Sequence, residues 1–206
     1  MKTLLLVSLS LLPQAGGGFK PTECYDNQCM VDPADARVGR SVTYLMDASG
    51  SKVTTIVAVV GKSGDDWLVE HWMDLGTISY GFLFRLGADK KIVKAWAAAK
   101  GDTAWTPIAV RKAPNIVAGD APKPVVQESE EKKETKAGAL ECKRLEVKVT
   151  VQGKVYVSNC WYSKRVWKFY AGCEHGGMVA MEASGARTTL DKMVEDAKPT
   201  LPLPKD

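Results

Sequence analysis

Histidine is scarce in this chain, with two in 206 residues. So few imidazoles exclude a histidine-rich metal centre, and the five cysteines fall in none of the short paired spacings of structural zinc. There is no Gly-x-Ser-x-Gly elbow, no His-Glu-x-x-His pair, no repeated Asp-x-Asp loop and no glycine-rich phosphate loop. The common sequence-readable enzymes go with them, and no cofactor or metal is expected. A strong charge of one sign is missing too: 28 basic residues against 24 acidic ones leave a net +4. The basic residues are scattered rather than striped, which argues against a nucleic-acid partner. Beyond the first dozen residues there is no long apolar run, because Asp47, Lys62 and Asp65 interrupt the richest region. No membrane-spanning helix is expected in the mature chain.

What is present begins with a leader. Lys2 precedes an apolar run at 4–12 broken only by Ser8 and Ser10, and Pro13 ends it. Ala15 and Gly17 put small residues at the −3 and −1 positions of a cut after Gly17. Residues 1–17 therefore read as a signal peptide, and the mature protein as secreted or periplasmic. Cys24, Cys29, Cys142, Cys160 and Cys173 all lie beyond the cut. In an oxidising compartment they are disulfide candidates, with at most two bridges and one thiol left over. Cys24 with Cys29 closes a small loop, and Cys173 lies in an irregular stretch free to reach Cys142 or Cys160.

Residues 18–40 read as an irregular N-terminal arm, with a short helical turn near Pro33 capped by Asp32. From Ser41 onward, short β-branched or alternating segments are separated by Gly/Asp/Ser turns. Residues 53–60, 67–73, 80–86 and 92–98 are strand candidates, although 95–100 also fits a helical turn. A single β-rich domain is expected over 41–196, interrupted by a polar excursion at 115–136. The Pro-rich tail at 197–206 reads as frayed. The clearest hairpin pairs residues 144–151 with 155–161. A three-residue loop, Gln152-Gly153-Lys154, sets Val151 opposite Val155 and Leu145 opposite Trp161. Leu145, Val147, Val149, Val157 and Trp161 then form one inward stripe. The fold class is mainly β, or α+β. A curved antiparallel meander or half-barrel is expected, with one short covering helix at most.

Chemistry is sparse. Cys173-Glu174-His175 is the one thiol–imidazole pair close in sequence, and a separation of two in a loop does not supply an oriented base. Glu70 shares a strand face with Trp72, a hint of a groove. Aromatics are the less ordinary feature. Trp67, Trp72, Tyr80, Phe82, Phe84 and Trp96 crowd within thirty residues and occupy both faces of their strands. Both faces must be covered, or one must line a pocket. These six are the ligand-groove candidates.

Residues 135–195 carry a resemblance. Ala137-Gly138 with Glu141-Cys142, then Trp161-Tyr162-Ser163, Gly177-Met178-Val179 and Leu190 follow the order seen in a loose group of uncharacterised secreted bacterial proteins. Leu140 stands where that pattern has an aromatic, and Cys173 falls in an insert. The arrangement is similar to the curved antiparallel half-barrel of periplasmic lipoprotein carriers. That resemblance implies a concave sheet able to hold an acyl chain, and no catalytic residue. The expected function is a secreted or periplasmic non-enzymatic binding or carrier-like protein for an apolar small molecule. The alternative is a structural or protein-interaction domain of the cell envelope, with a hydrolase third.

Overall fold

The computed structural model describes residues 20–48, 50–114 and 124–204. The proposed signal peptide and the first part of the expected excursion, 115–123, lie outside them. The strands are β1 (Glu23–Tyr25), β2 (Ser41–Ala48), β3 (Ser51–Ser63), β4 (Asp66–Asp74), β5 (Ser79–Leu86) and β6 (Ile92–Ala99). They continue as β7 (Thr106–Arg111), β8 (Val125–Thr135), β9 (Gly138–Val151), β10 (Lys154–Ser163), β11 (Gly177–Ala183) and β12 (Ala186–Val194). All twelve belong to one open sheet in the order β1-β7-β6-β5-β4-β3-β2-β12-β11-β10-β9-β8. Every pairing is antiparallel except β1 with β7. The mainly β reading holds, and among the described residues there is no helix: residues 95–99 are strand and Pro33 begins a plain turn.

Two long meanders meet at the β2–β12 pair, where Tyr44 lies opposite Leu190. Short turns link most consecutive antiparallel strands, the long β10–β11 connection excepted, so each strand's β-branched and aromatic residues find partners next door. The far end curls back on itself. Lys133 of β8 reaches Glu182 of β11 at 3.5 Å, and Lys136 reaches Asp191 of β12 at 3.2 Å, although neither strand is a sheet neighbour of β8.

Apolar residues fill both faces. On the inner face Val42, Tyr44, Val57, Val59, Val69, Phe82 and Phe84 are buried beneath a lid built from two segments. One is the N-terminal arm, through Cys24, Cys29, Val31 and Ala36; the other is the β10–β11 connection, through Val166 and Phe169. The outer face carries a second cluster of Ala58, Val60, Leu68, Leu83, Ala98 and Trp105.

Four expectations need correction. The β9–β10 loop has two residues, with Val151 opposite Lys154 and Cys160 opposite Leu145. Gln152 and Gly153 both take positive φ (49° and 77°), the type I′ geometry whose twist matches the flanking strands. A slip of one residue exchanges faces, so Trp161 lies opposite Arg144, away from Leu145. The supposed stripe therefore splits, leaving Val155 and Val157 exposed at the tip. The second correction concerns residues 125–135, expected to loop out, which form edge strand β8 along the whole of β9. Their charges suit an edge exposed to water. Third, the arm is irregular over 26–40 but also holds the short strand β1, with Cys24 pairing Val110, and it packs into the core. Fourth, the tail is not frayed: Ala197, Leu201 and Leu203 pack on the outer cluster.

Candidate functional site

The structure does not bring the six groove candidates together. Phe82 and Phe84 stack at 5.2 Å on the inner face, and Tyr80 meets Phe82 edge-on at 5.9 Å. Trp67 packs against the same inner cluster with the Lys62 ammonium 4.1 Å from its ring. Trp72 and Trp96 belong to the outer cluster instead. Period-two alternation places residues on opposite faces, so a sequence window rich in aromatics on both parities divides between two layers.

The inner face offers little room. Cys29, Val57, His71, Phe84, Phe169 and Tyr170 border a cavity of about 20 Å³, the space of roughly one water molecule. Ligand sites for drug-sized molecules occupy about 300–1,000 Å³. This cavity is far too small for an acyl chain. His71 lies beside the cavity with its Nε2 sealed from solvent and without a hydrogen-bond partner among the described residues. Burial holds its imidazole neutral and pushes its pKa down to about 4. Nearby, the buried Tyr44 hydroxyl donates to the Met178 carbonyl at 2.7 Å, tying β2 to β11 across β12. Desolvation raises its pKa, so it stays a donor.

The outer face is built differently. Glu70, on β4, is 1% exposed, an unusual place for a carboxylate. Its oxygens accept from the Thr200 amide at 3.0 Å, from the Thr200 hydroxyl at 2.8 Å and from Trp72 Nε1 at 3.2 Å. Desolvation raises its pKa, and the bonds from Thr200 and Trp72 oppose that rise. The hint of Glu70 beside Trp72 was legible in strand alternation. The partner from the chain's last residues was not, because nothing in a Pro-rich segment specifies what it covers.

Around this carboxylate the outer cluster forms an apolar bed, the trough in which Ala197, Leu201 and Leu203 of the tail lie. Trp72 and Trp105 face each other at 5.6 Å. A Cβ at position 81 would fall 2.5 Å from the Trp72 ring, so glycine lets the indole lie flat on β5. Leu203 reaches to within 3.1 Å of where a side chain at Gly61 would begin. At the trough's entrance the Ala197 amide donates to the Gly39 carbonyl at 2.8 Å. Gly39 has φ of 95°, and a Cβ there would meet the Glu195 carbonyl at 2.3 Å, so only glycine lets the tail cross. Trp105 Nε1 is buried in this cluster with no hydrogen-bond partner among the described residues.

The cysteines require a further correction. All five are free thiols, four of them buried. In the observed register Cys142 and Cys160 lie on opposite faces of the hairpin, out of each other's reach. Desolvation pushes the Cys24 thiol up to about 11, Cys29 to about 12 and Cys142 to about 11, and it raises Cys160 and Cys173 as well. A raised thiol pKa works against nucleophilic chemistry at Cys173. His175 lies 3.8 Å from Glu128 and 4.0 Å from Glu174, carboxylates with no link to an activated thiol.

On the curled ribbon, Arg144 donates to Asn159 Oδ1 at 2.7 Å and to Glu146 at 3.1 Å, and Trp161 Nε1 donates to Glu131. Lys133 sits 3.5 Å over the Trp161 ring. These groups satisfy one another.

No protein-family model matches the chain, and no curated protein matches it. Among solved structures it is similar to a candidate exported protein of Bacteroides fragilis with a YmcC-like fold. Identity is 11%, with 80% of this chain and 99% of that one covered and a TM-score of 0.37. It is also similar to a candidate lipoprotein of Parabacteroides distasonis, at 12% identity over 81% of this chain and 99% of that one, with a TM-score of 0.32.

Proposed function

We propose that this is an exported, non-enzymatic binding protein, and that its apolar ligand site is the outer-face trough rather than the inner face. One observation carries this reading: the trough already holds an apolar segment, the tail, lying on the surface with Thr200 and Pro202 exposed. A surface-laid segment is replaceable without unpacking the sheet, whereas ligand entry on the inner face would require lifting both lid segments. The leader at residues 1–17 supports secretion or residence in the periplasm. The experiment is a panel of fluorescent fatty acids and lipopeptides titrated into the full chain and into a Leu201→Asp, Leu203→Asp variant. Saturable binding that appears or strengthens in the variant supports the trough. Equal binding to both would return the ligand to another face. Expression with the leader, followed by fractionation and N-terminal mass spectrometry, tests export and the cut after Gly17.

A second reading has its own observation. At the β8–β10 end Val125, Val155 and Val157 are exposed on one face of the ribbon, and Val126 and Tyr156 on the other. Grouped exposed apolar residues of this kind mark interaction surfaces, as an envelope structural domain would need. Cross-linking in envelope extracts, with Tyr156→Lys as the control, separates this reading from the first.

A further inference from the structure

We infer that the trough's ligand class is an extended, proline-containing peptide of the Thr-Leu-Pro-Leu kind, and that the chain's own tail is the resident competitor for that site. This rests on the trough being the binding surface and goes further by naming what it recognises.

The tail defines the chemistry of its site. Glu70 reads one residue twice, through the Thr200 amide and the Thr200 hydroxyl. A buried carboxylate so placed selects a residue carrying both donors, serine or threonine, and leaves a strong acceptor unmet when neither is there. Leu201 and Leu203 then enter the apolar cluster of Leu68, Leu83 and Trp105. Pro199, Pro202 and Pro204 bring no amide donors, so the segment cannot join the sheet as a thirteenth strand. Their fixed φ also lowers the entropy lost when such a peptide is ordered.

Two further observations point to a ligand other than the tail. Trp105 is 8% exposed, and its buried Nε1 has no acceptor among the described residues, the tail's included. A peptide carbonyl is the acceptor that proline-rich ligands present and indole donors recognise. The tail itself is lightly held: its described polar anchors to the rest of the fold are the Ala197 amide on Gly39 and the two Thr200 donors on Glu70. A tethered segment acts at an effective concentration in the millimolar range, so weak intrinsic affinity is enough to keep it docked. A free peptide that also satisfied Trp105 would displace it.

The test uses a fluorescein-labelled peptide of residues 197–206 followed by anisotropy. The expected result is saturable binding to the full-length Leu201→Asp, Leu203→Asp variant, in the micromolar range. Binding to the unaltered chain should be weaker by about tenfold or more, because its own tail competes. Thr200→Ala in the peptide should weaken binding by about tenfold, the loss of one charge-assisted hydrogen bond. In case the aspartates disturb folding, a second protein carries a protease site between Asp196 and Ala197. It is cleaved after folding and dialysed, then given the same peptide. No saturable binding to either protein overturns the inference, as does equal binding to the intact and altered chains. If fatty acids or lipopeptides bind the altered chain and the peptide does not, the trough stands as a binding surface and the peptide assignment fails. If neither binds, both fail.

Discussion

His71 and Glu70 are sequence neighbours that point to opposite faces and carry opposite electrostatic burdens. For His71 the folded pKa of about 4 lies below the ordinary 6.5. Above pH 6.5 the ring is neutral in both the folded and the unfolded chain. As pH falls from 6.5 toward 4 the unfolded chain binds a proton that the folded chain refuses, and stability is lost at up to about 1.4 kcal/mol per pH unit. His71→Phe should flatten that part of the stability–pH curve, measured by urea denaturation between pH 7 and 4.5. An unchanged slope would mean the ring is solvated. Gly39 supports a second residue-scale expectation. Gly39→Ala combines an unfavourable φ with a backbone clash against Glu195. It should cost about 1–3 kcal/mol and also loosen the tail, read as faster proteolysis at residues 197–204.

At the scale of elements, strand existence was legible and register was not. The β-branched run at 53–60 marked β3, and alternation in 67–73 and 80–86 marked β4 and β5, because a side-chain period of two is written directly in apolar spacing. The β9–β10 pairing depended on whether Lys154 belonged to the loop or to the strand, and nothing apolar marks that choice. One residue of loop length then moved Trp161 across the sheet. Strand β8 was invisible for a related reason. Residues 125–135 form an edge, and edge strands stay soluble by carrying the charges that made this run look unfolded. Of the candidate site, Trp72 and Glu70 were readable as neighbours; Thr200, Gly39 and Leu203 were not, since tertiary docking of an irregular tail has no period. The type I′ turn gives a direct check. Gln152→Asn should raise stability by about 0.5 kcal/mol, since Asn-Gly is the preferred pair for two positive φ values. A three-residue loop would show no gain.

For the whole molecule, the continuous sheet argues for one cooperative unit despite its two meanders. Tyr44 and Leu190 are fully enclosed at the junction, and the β10–β11 connection covers strands of the first meander. Trp161→Ala, at a site 4% exposed, should destabilise the entire protein by about 3–5 kcal/mol. Tryptophan fluorescence, far-ultraviolet and near-ultraviolet circular dichroism should lose signal in one coincident transition. Two separated transitions would divide the chain at β2–β12.

The β2–β12 junction also governs timing. Tyr44 waits for Leu190, 146 positions later (190 − 44), and the arm's Cys24 waits for Val110. A chain synthesised from its N-terminus delivers the first meander while its central seam has no partner. Pairings this distant in sequence close slowly. Strand β2 is therefore a temporary edge, vulnerable to aggregation and to proteases, until β12 has emerged. Only then does the seam close, and the tail that follows immediately after β12 is the last segment to fall into place.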